Sequence, residues 1–91
     1  MSAVIFEFGL GRFELPADEA ERLRERLRRY DDPSGHAWDI ADRIARAGPL
    51  GHSVYPSREE LVFLLGALRE AEGSLSEAGA DLLRALLRGV A

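Results

Sequence analysis

Apolar and polar positions alternate from Val4 to Leu15. Val4, Phe6 and Phe8 point one way, Ile5 and Glu7 the other; past Gly9 and Gly11, Phe13 and Leu15 alternate with Arg12 and Glu14. A period of two marks a strand with one buried face. Gly9 and Gly11 suit the positive φ of a tight turn. The segment therefore predicts a β-hairpin. Ile5 on the second face predicts that this face is partly covered.

Pro16 ends the second strand, and the period changes. Ala20, Leu23, Leu27 and Tyr30 fall on one helical stripe. Asp18, Glu19 and Glu21 open that helix and Arg28 and Arg29 close it, in the order the helix dipole favours. "YDDPSGH" (30–36) breaks it: Pro33 disfavours an α conformation at Asp32, and Asp32 or Ser34 can cap the next helix. That second helix is predicted over about 35–47, with Trp38 filling the core. "GPLG" (48–51) is read as its stop. "HSVY" (52–55) reads as a third short strand. Ser57 then opens a third helix with "SREE", a capping box whose third helical position is Glu60; this helix is predicted to run to about Glu72. "GSLSEAG" makes a turn with Ser74 or Ser76 as the next cap. The last helix, over 76–89, has Leu82, Leu83, Leu86 and Leu87 on a wide apolar face.

The predicted order is β-β-α-α-β-α-α, an α+β fold with an N-terminal hairpin, a third short strand and four helices on one face of the sheet. Residues 1–91 make one small domain. The echo between Pro16–Glu19 and Pro56–Glu59 is shared strand-to-helix punctuation, not an internal repeat.

Composition narrows the function classes. Hydrophobic residues are 46% and charged residues 31% of the chain, which fits a folded globular domain rather than a disordered one. There is no cysteine, so disulfides, thiol chemistry and cysteine-held zinc are excluded. All 12 basic residues are arginine; Lys, Asn, Gln and Thr are absent, a bias expected of GC-rich bacterial coding. The opening residues have no basic leader and are interrupted by Glu7 and Arg12, unlike a signal peptide. The longest apolar run, Leu61 to Leu68, is far short of the about 20 residues of a membrane span. A soluble, cytoplasmic protein is expected. The net charge of −4 argues against non-specific nucleic-acid binding.

The richest chemistry lies in "YDDPSGHAWD" (30–39). His36 with Asp39 one turn on is a general-base or metal-ligand candidate. Yet a metal site needs three or four converging ligands, and Asp42 lies about 240° round the helix from His36. Turn and cap chemistry explains the stretch without a reaction. "GLGR" (9–12) is no phosphate loop, since that motif needs a lysine. Ser53 beside His52 lacks a nucleophile elbow. Catalytic, cofactor and metal residues are therefore expected to be absent.

Two surfaces remain. Arg22, Arg26 and Arg29 share a face of the first helix and could track phosphates, although Glu19, Glu21 and Glu25 interleave with the arginines. Val62 and Phe63 lie off the core stripe of Leu61, Leu64, Leu65 and Leu68, and the last helix is similarly wide. More apolar surface than one small chain can cover predicts a subunit interface carried by Val62, Phe63, Leu83 and Leu87. The reading is a non-enzymatic protein-interaction or adaptor module, a homodimer with a protein partner. A nucleic-acid-binding or regulatory domain using the arginines comes next, then a small enzyme or metal site at His36.

Overall fold

The computed structural model describes residues 3–90. Its elements follow the expected order: β1 (Val4–Phe8), β2 (Gly11–Leu15), α1 (Ala17–Arg28), α2 (His36–Leu50), β3 (Ser53–Val54), α3 (Arg58–Glu70), a single 3-10 turn (Glu72–Ser74) and α4 (Glu77–Val90). The fold is α+β.

β1 and β2 form the hairpin, with Phe6 opposite Phe13 and Glu7 opposite Arg12. Gly9 alone takes positive φ there, at 61°. β3 joins the other side of β1 in parallel, Ile5 beside Ser53 and Phe6 beside Val54. The strand order is β2-β1-β3. Alternation then sorts the sheet. Val4, Phe6, Leu15 and Val54 are buried under the helices. The opposite face carries Ile5, Glu7, Arg12, Glu14 and Ser53. Ile5 is only half-buried, and the Tyr55 hydroxyl donates to Glu7 Oε2 at 3.0 Å across that face.

The core fills the space between sheet and helices. Phe6, Leu15, Leu23, Leu27, Ile40, Leu64, Leu68, Leu82 and Leu86 are all fully buried. α4 packs on β2 and α3, α2 on α1 and the sheet, and α1 on α3. Just past α1, the Tyr30 hydroxyl lies over Gly66 of α3, where an added Cβ would come within 2.7 Å of it.

Three expectations need correction. α2 does not end at about residue 47; it continues through Pro49 to Leu50, and only the last residue of the "GPLG" stop acts as the stop. Proline's fixed φ is helical, and the N–H it lacks would have served only the last turn. The stop is Gly51, at φ 69°, with Gly51 N–H donating to the Gly48 carbonyl at 3.2 Å and His52 N–H to the Ala47 carbonyl at 3.0 Å, which is the Schellman pattern. Trp38 is not in the core but 55% exposed. The buried stripe of α2 runs through Ala37, Ile40, Ala41, Ile44 and Ala47, and Trp38 sits about 100° past Ala37, on its flank. Leu83 is 4% exposed and belongs to the core, because α4 is covered on two sides, by the sheet and by α3.

Candidate functional site

The turn before α2 brings Asp32, Ser34 and His36 together. Asp32 Oδ2 accepts the Ala37 N–H at 2.9 Å. Its Oδ1 accepts the Ser34 N–H at 3.1 Å and the Ser34 hydroxyl at 2.5 Å. Ser34 Oγ lies 2.9 Å from His36 Nδ1. The hydrogen bond from the Ser34 hydroxyl, then that from the Ala37 N–H, holds the Asp32 carboxyl below its usual range. Gly35, at φ 80°, turns the chain so that Asp32 can reach back over the helix start.

This order of groups decides the chemistry. In an acid–base–nucleophile relay the imidazole stands between carboxylate and hydroxyl. Here the hydroxyl stands between carboxylate and imidazole. The Ser34 hydroxyl donates to Asp32 Oδ1, and the sense of its contact with His36 Nδ1 follows the imidazole tautomer. The cluster is a helix cap, with Asp32 as its centre. Asp31 and Asp39 are exposed and join none of these hydrogen bonds. Among the described residues, no three His, Cys, Asp or Glu side chains come together to hold a metal ion.

The arginines of α1 differ in their partners and exposure. Arg22 pairs with Asp18 at 3.3 Å on the surface. Arg24 is held by Glu21, which raises the Arg24 pKa and lowers that of Glu21. Arg26 is half-buried and Arg29 exposed, just past the helix. The unforeseen arrangement is Arg28, whose guanidinium lies 5.7 Å from the centre of the Trp38 ring. Arg24, Arg28, Trp38 and Asp42 line a cleft of about 220 Å³ there. Its sequence signal was the single tryptophan placed off the apolar stripe of α2.

The four interface candidates separate. Val62 is 59% and Leu87 39% exposed. Phe63 is half-buried, edge-on to Tyr30 with ring centres 5.6 Å apart. Leu83, in the core, leaves the set. The sequence reading missed Leu10, wholly exposed at the hairpin tip. Leu10 shares a cleft of about 410 Å³ with Phe8, Phe13, Ala85 and Arg88. No helix among the described residues is long and apolar enough to cross a membrane.

Compared with known proteins, the chain finds no counterpart: no family model, no curated protein and no solved structure matches it.

Proposed function

We propose that this chain is a non-enzymatic protein-interaction module that works as a homodimer. The observation that carries the reading is apolar surface left outside a complete core: Val62, Leu87 and Leu10 stay exposed although the sheet and all four helices already share one cluster. Burying such side chains against a second copy is the commonest way to take them from water. The reactive-looking groups support the same reading, since Asp32, Ser34 and His36 already serve the helix cap. A cytoplasmic setting belongs to the reading, in keeping with a chain free of cysteine. Light scattering across a concentration series tests it. The expected mass is twice the 10.0 kDa of one chain; a single-chain mass at the highest concentration overturns the proposal.

A second reading rests on Arg28 and Trp38. An exposed indole with a guanidinium over it can stack a nucleic-acid base; Arg22 and Arg26 lie on the same helix as Arg28, and Arg29 stands just past its end. The net charge of −4 works against it. Titrating the single tryptophan's fluorescence with a single-stranded oligonucleotide decides: a quench that fades with salt supports the reading, and no change removes it.

A further inference from the structure

The sheet order leaves β2 at an edge. Its two neighbours in the hairpin turn, Gly9 and Leu10, make a two-residue connection between Phe8 and Gly11. The residues flanking such a turn form a hydrogen-bonded pair, and antiparallel pairs then alternate. Gly11, Phe13 and Leu15 therefore direct their backbone groups at β1. Arg12 and Glu14 direct theirs outward, away from the sheet. Both residues are exposed. Beyond the hairpin, no hydrogen bond engages their backbone among the described residues. The free edge is thus two N–H and two carbonyl groups, on one cationic and one anionic residue.

From this we infer that two copies join edge to edge through β2, antiparallel about a two-fold axis at Phe13. The inference rests on the homodimer reading above but sets the contact at the β2 edge, beside Leu10, and leaves Val62 and Leu87 outside it. Only outward-facing residues can exchange hydrogen bonds across the axis, which leaves three registers. Arg12 opposite the partner's Arg12 puts like charges face to face, and so does Glu14 opposite the partner's Glu14. The third register sets each Arg12 against the partner's Glu14. It makes four backbone hydrogen bonds and two opposite-charge pairs at once, whereas like charges in direct opposition destabilise a sheet.

Two further features fit that register. Glu7 faces Arg12 within the hairpin, and the Arg12 charge helps hold the Glu7 carboxyl below its usual range, after the hydrogen bonds from Ser53 and Tyr55. Arg12 then stands between two carboxylates, so charge alternates across the joined sheets. On the helix side, Phe13 meets the partner's Phe13 at the non-hydrogen-bonded position, where opposite side chains come closest. Phe13 is half-exposed in one copy and lines the cleft with Phe8, Leu10 and Ala85; its own copy closes that cleft from the side. A charged edge strand ordinarily discourages pairing. Here the charges exclude the wrong registers and favour one.

Charge reversal in the full-length chain tests this. Arg12→Glu and Glu14→Arg change exposed side chains, so the circular dichroism spectrum is expected to stay as in wild type, with a small loss in melting temperature for Arg12→Glu, which also sets a second carboxylate opposite Glu7 in its own hairpin. Each single change places like charges opposite one another twice, and the dimer is expected to weaken about tenfold or more in sedimentation. Mixing the two variants restores opposite charges at both positions, so a heterodimer is expected at wild-type strength; the double reversal in one chain recovers likewise. Dimerisation that ignores all these changes overturns the inference while leaving the homodimer reading intact. A wild-type chain that is monomeric throughout overturns both. A dimer broken by Val62→Asp or Leu87→Asp but not by Arg12→Glu moves the interface to the helices and overturns the β2 assignment.

Discussion

α3 and α4 begin in the same way with different parts. Each starts at a serine whose own N–H lies outside the helical ladder and needs an acceptor. At α3 the acceptor is Glu60, third residue of the same helix, with Oε1 2.7 Å from Ser57 N. At α4 the third residue is Gly79. Its place is taken by Glu19 of α1, 57 residues earlier, with Oε1 2.7 Å from Ser76 N and Oε2 2.6 Å from Ser76 Oγ. A Cβ on Gly79 would lie 3.0–3.2 Å from the Glu19 carboxylate. Glycine there is what gives Glu19 room. One cap is written within a turn of chain; the other is borrowed across the fold and ties α1 to α4. Both carboxylates are buried, Glu60 at 2% and Glu19 at 6% exposure. Glu60 has Arg43 as an ion-pair partner, whereas no cation pairs with Glu19 among the described residues.

The largest expected effect comes from separating Glu60 from its cation. Arg43 also donates to the Tyr55 carbonyl at 2.9 Å, so it joins α2 to the segment leading into α3. Arg43→Ala leaves a buried carboxylate with only its cap contacts. Removing one partner of a fully buried pair costs about 3 kcal/mol or more; the Arg43 side chain is one-third exposed, so urea unfolding is expected to show a loss of about 2–3 kcal/mol. A loss below about 1 kcal/mol means that the cap alone satisfies Glu60, and the two helix starts are then equivalent.

Next comes the borrowed cap. Glu19→Ala removes the acceptor of both the Ser76 N–H and the Ser76 hydroxyl. Hydrogen bonds to a charged group contribute about 1.5–3 kcal/mol, so a loss of about 2 kcal/mol is expected by the same measurement. The distinguishing readout is hydrogen exchange. Protection should fall at the first turn of α4, not only in α1. Faster exchange confined to α1 would show that α4 does not depend on the distant carboxylate.

Acid separates the pair further. Burial is the largest influence on Glu60 and raises its pKa, but the hydrogen bonds from Arg43 and Ser57 together outweigh it, and the net direction is down from 4.5. A carboxyl lowered by folding stabilises the fold above its unfolded pKa, and that contribution is lost as pH falls through the folded pKa. In Arg43→Ala both Arg43 contributions are gone while burial remains, so the Glu60 pKa is expected to rise relative to wild type and its protonation to cost the folded chain less. The stability gap between wild type and Arg43→Ala is expected to narrow from pH 6 to about pH 3.5, as read by urea unfolding at each pH. A gap that stays constant places the Arg43 contribution outside the Glu60 charge.

The same contrast explains what the sequence could and could not show. The hairpin, the four helices and the Ser57–Glu60 box are local patterns, carried by residues within a few positions of one another, and the structure contains them. Asp32 as a cap is local too. Glu19 reads as an ordinary acidic residue near a helix start, because its partner Ser76 is distant in sequence. Leu83 reads as surplus because periodicity counts one buried side, whereas α4 is covered on two. Size alone puts Trp38 inside, although its position off the stripe of Ala37, Ile40 and Ile44 is visible in the sequence. The free edge of β2 depends on β3 choosing the far side of β1, and no local pattern encodes that choice.

The smallest effect is the sharpest test of the borrowed cap, since it predicts a change of sign. In wild type, Gly79→Ala brings a methyl group against the Glu19 carboxylate and should destabilise, despite alanine's better helix propensity, which favours it by about 1 kcal/mol. In the Glu19→Ala background those nearest atoms are gone, and the same substitution should stabilise by up to that amount. Gly79→Glu in this background goes one step further. It places a carboxylate at the third position of α4, as Glu60 stands in α3, and gives the Ser76 N–H a local acceptor. Stability is expected to exceed that of the Gly79→Ala double variant by about 0.5–1 kcal/mol, with protection returning to the first turn of α4. Because alanine at the same site controls for propensity, the excess reads the hydrogen bond itself. If glutamate gives no more than alanine, the carboxylate at α4 matters for holding α1 in place and not for starting the helix.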